Sequence, residues 1–227
     1  MSVVQRTSYG NPFGRVTTVT GPSVEPISTA DAKAWLRIES GVTADDTLID
    51  ALVTAARQHV EDYCQIRLIT QTVRQTLDHW PGSKNNLDLP NEGRISDYIG
   101  GDPDYVELIA RPVQSVSSVT IYDDGGNSDT WNAPNYRLSI PGDRARLVPT
   151  DNAAWPSATR RSDAVEIQYV AGYGDAGSDV PDAILKAMKL LVAHWYENRE
   201  AVVIGTSVNE LPFAVKALLA PYRFVTL

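Results

Sequence analysis

Gly172-Tyr-Gly174-Asp-Ala-Gly177 is this chain's nearest approach to a ligand-binding motif. It has the form G-x-G-x-x-G, follows an apolar, strand-like run and precedes a helix. In that setting glycines let a backbone close on a pyrophosphate. Three features oppose this chemistry. The helix begins after the third glycine, not at the second. Asp175 and Asp179 would bring negative charge to an anion. No further strand–helix unit follows to build the parallel sheet that such a site needs. A strand-to-helix turn accounts for the same letters.

Asp123, Asp124, Asn127 and Asp129 crowd one loop around Gly125 and Gly126. Oxygens of this kind hold Ca2+, but the spacing is not that of an EF-hand and no glutamate closes the set. An Asp-Gly hairpin turn is expected instead. His59, His79 and His194 form no metal-ligand spacing with one another or with Cys64, and HExxH is absent. G-x-S-x-G is absent too. Cys64, at a helix end, reads as packing. The expectation is no catalytic residue, no cofactor and no metal.

Trp195, Tyr196, Glu197, Arg199 and Glu200 close the last long helix. Glu197 and Glu200 could serve as paired carboxylates, yet an i,i+3 set of solvated, ion-paired side chains has the same spacing. Trp, Tyr and Arg concentrate at protein interfaces, so the cluster is a candidate subunit interface. Beyond it, Leu211, Phe213, Leu218 and Leu219 lie on a short helix, and Pro221, Tyr222, Arg223 and Phe224 follow. Tails without a task are usually polar. This apolar, aromatic one, with its single cation, is a candidate docking element.

These residues need elements to position them. Residues 28–31, Ser-Thr-Ala-Asp, have the form of a helix-capping box, and the helix after them is expected to carry Trp35 and Ile38 and to end near Gly41. Residues 43–46, Thr-Ala-Asp-Asp, repeat the signature. Ile49, Leu52, Val53, Ala56, Val60 and Tyr63 then recur at helical spacing. The two helices make a hairpin with apolar faces inward. Between residues 66 and 170 the period becomes that of strands: residues 71–78 alternate, 115–122 are rich in Val, Ser, Thr and Ile, and 164–170 read AVEIQYV. Pro-Gly, Asp-Gly and Trp-Pro punctuate them. A third helix starts at Pro181, with Ile184, Met188, Leu191, Val192 and Trp195 as its stripe.

The fold class is therefore α+β. A helical body, residues 26–65 plus 180–210, receives an inserted antiparallel β-rich unit over 66–179. An extended arm, 1–25, precedes it, and a short helix with an extended tail, 211–227, ends it. The 227 residues, 43% hydrophobic and 21% charged, are enough for a core. No apolar run has membrane-spanning length and the start has no signal-peptide form. One cysteine excludes an internal disulfide and suits a reducing cytosol. A net charge of −8 opposes general affinity for nucleic acid.

Several stretches, in order, resemble one family: PISTADAKAWLRIES (26–40), DDTLIDALVTAARQHVEDYCQIRLITQT (45–72), LDHWPG (77–82), LDLP (87–90), PVQSVSSVTIYDDGG (112–126), VEIQYVAGYG (165–174), VPDAILKAMKLLVAHWYENRE (180–200) and LPFAVKALLAPYR (211–223). Together they are similar to the head–tail connector, or head-completion, proteins of long-tailed bacteriophages and gene transfer agents. The resemblance implies a non-enzymatic virion protein, made in the bacterial cytoplasm and placed in the neck. It implies a homo-oligomeric ring of about twelve copies under the portal protein. Such a ring extends the channel through which double-stranded DNA passes without specific binding, and offers a platform to the stopper or tail component. The resemblance also assigns the C-terminal helix and tail to the portal. A different reading, a non-catalytic β-rich module that recognises glycans, would use Trp80, Trp131 and Trp155 as stacking surfaces.

Overall fold

A computed structural model describes residues 14–80, 105–142, 144–160, 162–198 and 213–223. Its strands are β1 (Arg15–Thr20), β2 (Gln71–Leu77), β3 (Val106–Leu108), β4 (Val113–Tyr122), β5 (Ser128–Thr130), β6 (Tyr136–Ser139), β7 (Ala145–Pro149) and β8 (Val165–Ala171). Its α-helices are α1 (Thr29–Leu36), α2 (Asp46–Cys64), α3 (Asp182–Glu197) and α4 (Phe213–Leu219). The chain divides into two compact units, Met1–Thr20 with Thr72–Ala171 and Gly21–Gln71 with Gly172–Leu227. The first holds the strands, the second the helices.

In the β unit, five strands form a sheet in the order β1-β2-β8-β4-β5 and three form another in the order β3-β7-β6. The pairs β1–β2, β4–β5, β4–β8, β3–β7 and β6–β7 are antiparallel. Alternation decides which face is buried. Val165, Ile167, Tyr169 and Ala171 point inward from β8, and the residues between them stay half-exposed. Val73, Leu108, Val119 and Leu147 bring β2, β3, β4 and β7 into the same core. Burial of each large apolar side chain there contributes about 1.5–3 kcal/mol. A polar clamp crosses that core. The buried Gln75 side chain donates to the Glu107 carbonyl at 2.9 Å and accepts from the Ile109 N–H at 3.1 Å and the Tyr169 hydroxyl at 3.2 Å. The Tyr169 oxygen in turn accepts from the Ala110 N–H at 3.0 Å.

Within the expected arm, Arg15–Thr20 is a strand paired with β2, and Glu25 is tied to α2; residues 1–13 lie outside the described residues. The short strands β3, β5, β6 and β7 were hidden in what the sequence shows as long loops.

In the helical unit, Ser28 caps α1 as its letters require. Its oxygen accepts the Asp31 N–H at 3.0 Å and its hydroxyl donates to the Asp31 carboxylate at 2.6 Å. That hydrogen bond holds the Asp31 carboxyl below its ordinary pKa. α1 ends at Leu36, not near Gly41, because Arg37 turns into the left-handed region at φ 60°. The loop beyond is gathered by Lys33, whose buried ammonium donates to the carbonyls of Ser40 (3.2 Å) and Val42 (2.6 Å) and pairs with Asp46 (2.8 Å). The second capping box does not form. Asp46 is drawn to Lys33, Asp45 accepts the Tyr196 hydroxyl at 2.6 Å, and α2 starts without a side-chain cap.

One apolar core serves the unit. Ile49, Val53, Ala56 and Val60 of α2 meet Ile184, Met188, Leu191 and Val192 of α3 and Val215 and Leu219 of α4. Beside it lies an ionic network. Arg57 donates to Glu25 at 2.8 Å and to Glu61 at 3.0 Å. The other Glu61 oxygen accepts the Gln71 amide at 2.7 Å and the Leu68 N–H at 3.0 Å. Burial works against the Arg57 charge, but the hydrogen bond from Glu25 and the fields of both carboxylates outweigh it, and the guanidinium pKa is raised.

Candidate functional site

The glycine motif is a packing device. Gly172 has φ +141° and lies against the backbone of Ile69 and Thr70; a Cβ there would stand 2.6 Å from the Ile69 carbonyl carbon. A Cβ at Gly174 would meet Asp179, and one at Gly177 would come within 2.2 Å of the Pro26 carbonyl oxygen. The chain therefore needs bare backbone at all three positions to fit its own segments. Thr70 donates to the Gly174 carbonyl at 2.9 Å and Tyr173 to the Leu68 carbonyl at 3.2 Å, so outgoing and returning strands are joined where the β unit is inserted. Asp179 accepts the Ala176 N–H at 3.0 Å. α3 starts later, at Asp182.

The acidic loop is a hairpin turn between β4 and β5. Asp123 accepts from the Asn127 N–H at 2.8 Å and from its side-chain amide at 2.9 Å, and Gly126 turns at φ +81°. The Asn127 side chain, more than any other group, holds the Asp123 carboxyl below its ordinary pKa. Among the described residues no group of three or more His, Cys, Asp or Glu side chains is arranged to hold a metal. His59 stacks on Tyr63 at 6.3 Å and meets Trp195 edge-on at 6.1 Å. His79 is exposed, and His194 contacts Asn198 one helical turn on. Cys64 is buried, with its sulfur 3.9 Å from the Leu219 carbonyl oxygen.

The three tryptophans that could stack on a sugar pack on one another. Trp80 stacks on Trp155 at 4.4 Å, Trp131 meets both at 5.7 and 5.4 Å, and Tyr136 lies 5.2 Å from Trp131. Trp80 and Trp131 are 3% and 7% exposed, so their rings belong to the β-unit core and not to an open binding face.

Of the candidate interface residues, Trp195 is half-buried against the helical core, Tyr196 is anchored by its hydroxyl to Asp45, and Glu197 is exposed. The structure brings Trp195 and Tyr196 together with α2 and leaves Glu197 in solvent. Arg199, Glu200, Leu211 and Phe224 lie outside the described residues. The rest of the docking candidates divide. Leu219 is 1% exposed and belongs to the core with Val215, which corrects its assignment to a docking surface; its helical position turns it toward α2 and α3. Leu218 and Tyr222 are half-buried against the same core. Pro221 is exposed in a single 3-10 turn, and Arg223 lies over the Tyr63 ring at 5.2 Å. Phe213 stands apart, 86% exposed at the first residue of α4.

Sequence reasoning missed the Glu25–Arg57–Glu61–Gln71 network and Lys33. The i,i+4 pair Arg57 and Glu61 was a visible signal; that Glu25 and Gln71 join it depends on tertiary packing.

Two compact units, one of strands and one of helices, thus make up the chain. Residues 25–225 match the head completion protein family, and the chain belongs to that family. No curated protein matches it. Solved chains share its fold, three of them as follows. One, from the neck of an empty GTA particle computed with C6 symmetry, is 24% identical with a TM-score of 0.72 over 94% of this chain and 97% of that one. A second, from the virion of a native gene transfer agent particle, is 24% identical with a TM-score of 0.71 over 93% and 96%. A third, from the neck of a native GTA particle computed with C12 symmetry, is 23% identical with a TM-score of 0.70 over 94% and 97%.

Proposed function

We propose that this protein is a structural head–tail connector, a ring-forming adaptor in the neck of a phage or phage-like particle. The family match over residues 25–225 carries the reading. The fold shared nearly end to end with chains of GTA necks supports it. About twelve copies form a ring under the portal. The ring extends the DNA channel and presents a platform for the stopper or tail. The role is one of position and contact, not catalysis. The net charge of −8 suits a wall past which DNA moves without being held.

The C-terminal segment docks on the portal. Val215 and Leu219 fasten α4 to the helical core, which leaves Phe213 projecting and Arg223 at the exposed end. Leu211 and Phe224 flank this stretch. Trp195, Tyr196 and Glu197, with Arg199 and Glu200 beyond them, border a neighbouring copy.

Particles made without this chain are expected to be DNA-filled heads that lack tails or leak. Normal tailed particles would overturn the reading. Phe213→Ser is expected to weaken portal binding at least tenfold with the melting midpoint unchanged, since an 86% exposed ring contributes little to the fold. Unaltered portal affinity would remove Phe213 from the docking surface.

A further inference from the structure

Among the described residues, the two end strands of the larger sheet each pair on one side only, and the two edges are unlike. β1 and β5 stand at the ends of the order β1-β2-β8-β4-β5. β1 reads RVTTVT, with five β-branched residues in six, no proline and no lysine, and only Val16 is half-buried. Residues of this kind favour extended backbone, and an edge without proline or lysine is a template for another strand. An irregularity between Thr18 and Thr20 turns the end of β1, so its regular edge is Arg15 to Thr18.

β5 is exposed at all three residues. The Trp131 N–H donates across the ladder to the Val119 carbonyl at 2.9 Å. By alternation, Ser128 and Thr130 direct their N–H groups outward. The Asp129 carboxylate accepts the Thr130 N–H at 2.8 Å and so sits on that outer edge. It is the only charge on β5, and Arg15 is the only charge on β1. Among the described residues Arg15 is held by an exposed 3.5 Å pair with Asp163, a contact of little energy that a better partner displaces.

We infer that β1 of one copy pairs with β5 of the next, so that the sheet continues from subunit to subunit. This rests on the ring proposed above. The occupant is a second copy of this chain for two reasons. The two edges carry opposite charges. A contact between unlike edges is also heterologous, the kind that repeats around a ring, whereas β1 against β1 would close a dimer and stop. On pairing, the Thr130 N–H passes from the Asp129 carboxylate to a strand carbonyl, and Asp129 is released to Arg15.

Cys64 is the only cysteine and is buried, so introduced pairs report cleanly. The experiment places one cysteine at Val16, Thr17 or Thr18 and a second at Ser128, Asp129 or Thr130, in all nine combinations. Particles carrying each variant are oxidised and run on a denaturing gel without reductant. At least one combination is expected to give a ladder from dimer to the full ring, while every single-cysteine variant stays monomeric. Particles that contain the protein but give no ladder in any combination overturn the edge pairing. So does a dimer from a β1 cysteine alone, which would mean that β1 meets itself. So does a ladder that needs a cysteine on a tail or portal component instead. Absence of the wild-type chain from the particles is a separate result: it defeats the connector reading and this inference with it.

Discussion

Glu61 ties together more of the helical unit than its single charge suggests. One oxygen faces Arg57 at 3.0 Å; the other receives the Gln71 amide at 2.7 Å and the Leu68 N–H at 3.0 Å. The residue is 5% exposed, so water cannot replace what is lost. Glu61→Ala strands three donors, and removing one member of such a buried pair costs about 3–5 kcal/mol. For a chain of this size that lowers the melting midpoint by roughly 6–20 °C. Two compact units allow two calorimetric transitions, and the loss belongs to the one carried by the helical unit. Glu61→Gln keeps the shape but turns an amide donor toward Arg57 or toward the Leu68 N–H, so it falls between wild type and Glu61→Ala. Arg57→Ala combined with Glu61→Ala is expected to cost about 1–3 kcal/mol less than the two single changes added. Urea and calorimetric melts of the four proteins decide it. Costs that add, or a Glu61→Ala midpoint equal to wild type, would mean that the network is surface decoration and the reasoning is wrong.

Gly172→Ala sets a Cβ 2.6 Å from the Ile69 backbone at a φ of +141°, and is expected to cost about 1–3 kcal/mol in a melt; an unchanged midpoint would contradict the close approach. Trp80→Ala removes a 3% exposed ring stacked at 4.4 Å, and should cost about 3–5 kcal/mol and shift the fluorescence of the remaining tryptophans. Trp195→Ala should cost less, about 1–2 kcal/mol, because that ring is half-buried. Asp31 has a lowered folded-state pKa, so its stabilisation is present above the ordinary carboxylate range and lost as pH falls through the lowered value. Asp31→Asn is therefore expected to flatten the acid limb of a stability–pH curve, and a parallel curve would argue that the Ser28 hydrogen bond is absent in solution.

Long periodic stretches were legible in the sequence and short ones were not. α2, α3, β2, β4 and β8 carry enough repeats for their buried faces to be read directly, from Ile49 to Val60 and from Val165 to Ala171. β3 and β5 have three residues each, too few to show a period, and β6 and β7 exist because partners hold them. The capping letters at residues 28–31 and 43–46 look alike, yet only the first pair acts as a cap. Lys33 and Tyr196 claim the second pair of carboxylates, and neither neighbour can be inferred locally. The stretch from Leu211 onward was visible as apolar, but the division of its residues between core and solvent could not be seen. Whether a leucine faces the core or solvent depends on where α4 settles, and Leu219 settled inward while Phe213 did not.

The insertion of β2–β8 between α2 and α3 also sets a timetable. α1 and α2 leave the ribosome early, but their core partners on α3 and α4 follow only after the whole of Thr72–Ala171. The β unit has all of its own strands by Ala171 and can close first, in keeping with domains folding as they emerge. Until then the face of α2 bearing Ile49, Val53, Ala56 and Val60 lacks its partners on α3 and α4. Of the two units, the helical one is thus the later to close.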